Sequence, residues 1–145
     1  MKIAIASDHG GFLLKESLKG YLSKKGYEVV DVGTNSTQSC HYPEFAVKCA
    51  NLVARQECQC GIIVCTSGEG VVMAANKIKG IRAGIGYNKT VSRLMREHND
   101  ANVITFGAKF TSLDQAIVRT EAFLKAEFQG GRHATRVQMI KDLEK

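Results

Sequence analysis

Cys65 stands where its neighbours would let a thiol do chemistry. It closes the apolar run Gly61-Ile62-Ile63-Val64 and opens Thr66-Ser67-Gly68-Glu69-Gly70, a loop of hydroxyl residues and glycines. The pattern reads as strand, loop and helix, with the helix expected over Val71–Ile78. Such a loop carries a thiol to the carboxyl end of a buried strand and rings it with backbone N–H groups, since glycines let the chain approach a ligand without a Cβ in the way. A helix start beside the thiol favours thiolate and developing negative charge. By itself the stretch fits either a reactive cysteine beside an anion hole or a core cysteine followed by an ordinary turn.

Further polar groups fall at informative places. Asp8 and His9 end an apolar run, where they could face a ligand or close the strand with an Asx turn. His98 ends a helical stretch, either as an acid/base group that titrates near neutrality or as a cation on the helix dipole. Arg132 and Arg136 are four apart, hence on one helix face beside His133; two guanidinium groups there could grip a phosphate or form a solvated basic face. Tyr42 and His41 sit in a loop that either lines the mouth of a site or covers it. Glu44 and Glu69 read as exposed or capping acids.

The elements that must position these residues follow from periodicity. Lys2–Ser7 is a first strand, and Phe12, Leu13, Leu14, Leu18, Tyr21 and Leu22 recur at helical spacing until Gly26. Tyr27–Gly33 is a second strand, and a polar loop leads to Pro43 and a helix running towards Arg55. Gly61–Cys65 is the third strand, Ile81–Gly86 the fourth and Asn102–Gly107 the fifth. Asn88 caps the helix between the last two, and Ser112 or Thr111 caps a long amphipathic helix after them. A final helix carries Val137, Met139, Ile140 and Leu143. Alternating strands and helices predict an α/β, doubly wound, five-stranded parallel sheet of Rossmann-like type covered on both faces. Ligands of such sheets bind beyond the strand carboxyl ends. That rule gathers Asp8-His9, the Cys65 loop and the turn after Phe106 on one rim. The last helix follows no strand and has an apolar face, so it is expected to pack on a partner subunit.

Length and composition narrow the classes. A chain of 145 residues with 44% hydrophobic and 23% charged residues predicts one globular domain spanning 1–145. The net charge of +6 favours anionic ligands, but the basic residues are scattered, which argues for a small phosphorylated ligand and against nucleic acid. No run is long enough for a membrane span, and the opening Met1-Lys2-Ile3-Ala4-Ile5-Ala6-Ser7 does not read as a signal peptide, so the cytoplasm is the expected location. Five cysteines without an export signal argue against a disulfide framework; neither Cys58-Gln59-Cys60 nor Cys40-His41 has zinc-site spacing, so no metal is expected. There is no nucleotide phosphate loop and no dinucleotide fingerprint, which speaks against ATP and NAD.

Several motifs, in order along almost the whole chain, resemble the ribose-5-phosphate isomerase B family, part of a wider group that includes the galactose-6-phosphate isomerase subunits. They are Ser7-Asp8-His9-Gly10-Gly11, Tyr42-Pro43, the Cys65 loop with Ala74-Ala75-Asn76-Lys77, Gly80-Ile81-Arg82-Ala83, Arg96-Glu97-His98-Asn99-Asp100-Ala101-Asn102, and Gly130-Gly131-Arg132-His133 with Arg136-Val137. The resemblance implies aldose–ketose isomerisation through a cis-enediolate without a cofactor. It implies Cys65 as the base, Ser67 with the N–H groups of Gly68, Glu69 and Gly70 as the oxyanion hole, and Asp8 and His98 for ring opening and hydroxyl protons. Asn99 would contact a substrate oxygen, Tyr42 would line the site, and His9, Lys109, Arg132 and Arg136 would hold phosphate. It further implies a homodimer or tetramer with sites shared between subunits, the His98-Asn99 segment coming from the partner. Ribose 5-phosphate is the expected substrate, with a hexose 6-phosphate (allose or galactose) or a non-catalytic sugar-phosphate-binding subunit as alternatives. Thr66, Glu69, His41 and Lys109 depart from the family's commoner residues.

Overall fold

A computed structural model describes residues 1–144. Five strands, β1 (Lys2–Ser7), β2 (Glu28–Asp31), β3 (Cys60–Cys65), β4 (Ala83–Ile85) and β5 (Val103–Gly107), form one sheet in the order β2-β1-β3-β5-β4. Every pairing is parallel. The chain winds outward from β1 to β2, returns to β3 on the other side of β1, and continues through β4 and β5. The order therefore reverses between β1 and β3. A crevice opens at such a point because the connections leave in opposite directions.

The period of two along each strand divides the core into two layers. Ile3, Ile5, Ile62, Val64, Ile104 and Phe106 face α1 (Phe12–Lys24), α4 (Lys89–Asn99) and α5 (Leu113–Lys125). Ala4, Ala6, Ile63, Cys65 and Val103 face α2 (Tyr42–Ala54) and α3 (Glu69–Ala75). The small alanines of β1 let α2 lie close to the sheet. Each fully buried Ile or Phe contributes about 2 kcal/mol of apolar transfer, so the sheet's two faces supply most of the cohesion.

Local chemistry sets the helix starts. Asn88 Oδ1 accepts the Val91 N–H at 2.7 Å to begin α4, and Ser112 with Gln115 forms a reciprocal capping box at α5. Three elements differ from expectation by two or more residues at one end, and one of them is β2, expected over Tyr27–Gly33 and confined to Glu28–Asp31. The strand expected over Ile81–Gly86 contracts to Ala83–Ile85, because the Arg82 N–H is taken by Asn102 Oδ1 at 2.9 Å instead of a ladder partner. The helix expected over Val71–Ile78 begins at Glu69 and ends at Ala75, so its first turn forms part of the Cys65 loop. The last helix, α6 (Arg132–Lys141), packs beside α4 and buries Val137, while Met139, Ile140 and Leu143 remain exposed. Among the described residues no helix is long and apolar enough to cross a membrane.

Candidate active site

Cys65 ends β3 with its side chain 5% exposed, on the sheet face covered by α2 and α3. Its Sγ accepts the Gly68 backbone N–H at 3.1 Å. That bond aims the sulfur and offers a donor to negative charge on it. It needs the tight turn at Gly68, whose φ of +81° is accessible to glycine and strained for other residues. The other buried thiols differ: burial pushes Cys60 up to about 12 and raises Cys49 and Cys58, which keeps them protonated packing groups.

Around Cys65 the loop's donors are partly committed. Ser67 Oγ accepts the Glu69 N–H at 3.2 Å, which leaves its own O–H free to donate. The Gly70 N–H has no protein partner among the described residues. The tyrosine ring of Tyr42 lies against Gly70 so closely that a Cβ there would stand 2.5 Å from it. Tyr42 thus roofs the loop. Thr66 turns its Oγ1 onto Gly10, which joins the Cys65 loop to the end of β1.

Asp8 follows β1 directly. Since Ser7 pairs with Val64, its carboxylate stands one strand over from Cys65, across the switch point. One oxygen, Oδ1, accepts the Gly11 N–H at 3.1 Å and caps the 3-10 turn His9–Gly11. So the Asx-type role exists, and it leaves Oδ2 without a protein partner among the described residues. His9 lies in that turn, its Nδ1 accepting the Cys40 N–H at 3.2 Å. Lys109 sits in a second 3-10 turn, Ala108–Phe110, after β5, and its N–H donates to Thr66 O at 3.1 Å. Asp8, His9, Tyr42, Cys65, Ser67, Gly68, Glu69, Gly70 and Lys109 therefore share the carboxyl rim.

His98, Asn99, Arg132 and Arg136 do not. Helix α4 runs antiparallel to the strands and delivers its last residues to the amino end of β5, where Asn102 N donates to Arg82 O at 2.9 Å. Val103 pairs with Gly61 and Gly107 with Cys65, so the two ends of β5 are four residues apart, or roughly 13 Å at the rise of a parallel strand. At that far end the His98 and His133 rings stack with centroids 4.3 Å apart and planes 9° from parallel. Gln129 N donates to Glu97 O at 3.0 Å and brings the start of α6 alongside. His133 is held below the usual imidazole range, first by loss of water and then by the positive charges of His98, Arg132 and Arg136. This second cluster is a cationic patch with Arg132 and Arg136 exposed. A cavity of about 820 Å³ opens beside it, lined by Asn99, Met95, Ile140 and Leu143 among others, and Cys65 is not in its lining.

Three residues escape the sequence-derived site. His133 was visible beside Arg132, but its stacking on His98 depends on how α4 and α6 pack. Cys40 has no role in the sequence reading beyond lacking zinc-site spacing, and instead meets His9. Lys15, 1% exposed, bonds Asp31 Oδ2 at 2.7 Å and Thr34 O at 2.8 Å. Its signal was its place three before Leu18 and seven before Leu22, on the apolar face of α1. Among the described residues no three His, Cys, Asp or Glu side chains come together as a metal site would require.

Known proteins share this fold. The family described as Ribose/Galactose Isomerase matches residues 3–140. Ribose-5-phosphate isomerase B of Escherichia coli strain K12 is 41% identical over 143 residues, 99% of this chain and 96% of that protein. The ribose-5-phosphate isomerase B structure from Clostridium thermocellum superposes with a TM-score of 0.98 at 49% identity, covering 99% of this chain and 97% of that one. The Mycoplasma genitalium enzyme with bound ribulose-5-phosphate gives a TM-score of 0.94 at 39% identity, covering 99% and 95%.

Proposed function

The chain belongs to the ribose/galactose isomerase family, and on that premise we propose that its two polar clusters act together as the site of a ribose 5-phosphate–ribulose 5-phosphate isomerase. The chain is a sugar-phosphate isomerase, and the single observation that carries the residue assignment is the Cys65 sulfur held by the Gly68 N–H at the switch point, one strand from Asp8.

In this reading the open-chain aldose lies with C1 and C2 over Cys65. The thiolate takes the proton from C2, the electrons move into the C1–C2 bond and onto the carbonyl oxygen, and a cis-enediolate forms. The O–H of Ser67 and the free N–H of Gly70 face that oxygen; donors already in place are worth several kcal/mol to a developing oxyanion. Return of the proton from Cys65 to C1, with the O2 hydroxyl proton passed to O1 by way of Asp8 Oδ2, re-forms a carbonyl at C2 and gives the ketose. Asp8 Oδ2 is free to exchange a hydroxyl proton and assist ring opening. His9 and Lys109 reach towards the phosphate. Glu69, whose N–H is taken by Ser67, shapes the loop.

The second cluster lies too far from Cys65 to complete its own chain's site. We therefore assign ring opening and oxygen contact at each site to His98 of the partner subunit and Asn99 of the partner subunit, with Arg132 of the partner subunit and Arg136 of the partner subunit on the phosphate. The exposed apolar residues of α6 support a homodimer of this kind. No cofactor enters any step. A panel of pentose and hexose phosphates assayed for kcat/KM tests the reading: ribose 5-phosphate should be turned over fastest, and turnover of a hexose 6-phosphate alone would refute the assignment of substrate.

A further inference from the structure

His9 is held by a group that allows only one answer about its protons. Its Nδ1 lies 3.2 Å from the backbone nitrogen of Cys40, in line with that N–H. A backbone N–H donates and cannot accept, so Nδ1 must present its lone pair, and the neutral ring then carries its hydrogen on Nε2. Nε2 has no protein partner among the described residues. The Cys40 thiol also lies 3.8 Å from Nδ1, a second and weaker approach to the same nitrogen.

The loop that brings Cys40 to His9 is pinned at both ends. At its start, Lys15 Nζ binds Thr34 O and Asp31 Oδ2, Asp31 Oδ1 accepts the Gly33 N–H at 2.9 Å, and Thr34 N donates to Ser7 O at 3.0 Å. At its end, Tyr42 begins α2 and rests on Gly70. The intervening backbone is thereby set against the 3-10 turn that carries His9.

We infer that the backbone N–H of Cys40 is a positioning group for the reaction, fixing His9 as the Nε2–H tautomer so that the ring offers one neutral, aimed donor to a phosphate oxygen. This rests on the phosphate role given to His9 above. A ring protonated on both nitrogens would set two donors head to head at Nδ1 and displace the Cys40 loop. His9 then orients the phosphate, and charge neutralisation falls to lysine and arginine.

Long-range proton–nitrogen correlation spectra of the histidine rings in ¹⁵N-labelled protein test this directly, with His9→Gln identifying the His9 signals. The inference requires the Nε2–H pattern in the native protein and in Cys40→Ala, which keeps the N–H, and loss of that single pattern in Cys40→Pro, which lacks it. An Nδ1–H pattern or a tautomer mixture in the native protein would overturn it, as would an unchanged pattern in a folded Cys40→Pro. If Cys40→Pro does not fold, the native and Cys40→Ala spectra decide. Titration with inorganic phosphate separates the two layers: a response at Nε2 supports both, whereas a fixed tautomer with no response upholds the positioning and removes His9 from the phosphate site.

Discussion

At the scale of single residues, Cys65 is separated from the chain's other thiols by one hydrogen bond. The Gly68 N–H reaches its sulfur, whereas Cys49, Cys58 and Cys60 are raised by burial. Replacing Cys65 with Ala should lower kcat by roughly 10³-fold while sugar-phosphate binding, measured by calorimetry, persists. Ser67→Ala should cost about 10²-fold in kcat with KM little changed, since its O–H acts on charge that exists only along the reaction path. Arg136→Ala should do the reverse, raising KM roughly tenfold or more with kcat near normal in steady-state assays. Residue type and spacing marked Cys65, Asp8 and the arginine pair as candidates and left a packing, turn or solvated role open for each; their roles follow from the family resemblance. Cys40 was not a candidate, because its role lies in its backbone N–H, which every residue but proline carries and no sequence pattern marks.

At the scale of elements, the loop between β2 and α2 depends on buried charge. Burial by itself would raise the Asp31 carboxyl, but hydrogen bonds from Lys15, Lys19 and the Gly33 N–H outweigh it and hold the carboxyl below its ordinary value of 3.8. A carboxylate lowered in the folded state stabilises the fold at pH above that ordinary value, and the contribution fades as pH falls through the lower, folded one. Acid below about pH 4 should therefore erode stability, and Asp31→Asn should flatten that limb in urea titrations. At pH 7 the same substitution leaves Lys15 buried without its main partner and should cost about 3 kcal/mol. Most strands and helix caps were readable because each follows from local pattern: the alternating and continuous apolar runs, Asn88, and the Thr111-Ser112 pair, of which Ser112 is the cap. The strand order was not, since the placing of β5 between β3 and β4 depends on pairings distant in sequence. The loss of two residues from the start of β4 likewise rests on Asn102, twenty residues away, taking the Arg82 N–H.

At the scale of the whole molecule, the sheet puts the Cys65 loop at one end and the cluster of His98, His133, Arg132 and Arg136 at the other. The split follows from the direction of α4: any helix that returns the chain to start the next parallel strand ends at the amino edge, and His98 with Asn99 goes with it. Helix α6 adds Arg132 and Arg136 to the same edge and leaves Ile140 44% and Leu143 77% exposed. Periodicity showed that apolar face, and residue spacing showed the arginine pair; only the three-dimensional path shows that both lie beyond reach of their own Cys65. The two-fold dimer proposed above would resolve this if its isologous pairing set each edge against the other's rim. Mixing Cys65→Ala subunits with His98→Gln subunits, after reversible dissociation, tests that account most directly. Each variant alone should be nearly inactive towards ribose 5-phosphate, and random reassortment should restore about a quarter of the native activity, because half the dimers then hold one intact site. A mixture that forms heterodimers by native mass spectrometry yet stays as inactive as its parents would contradict the shared site.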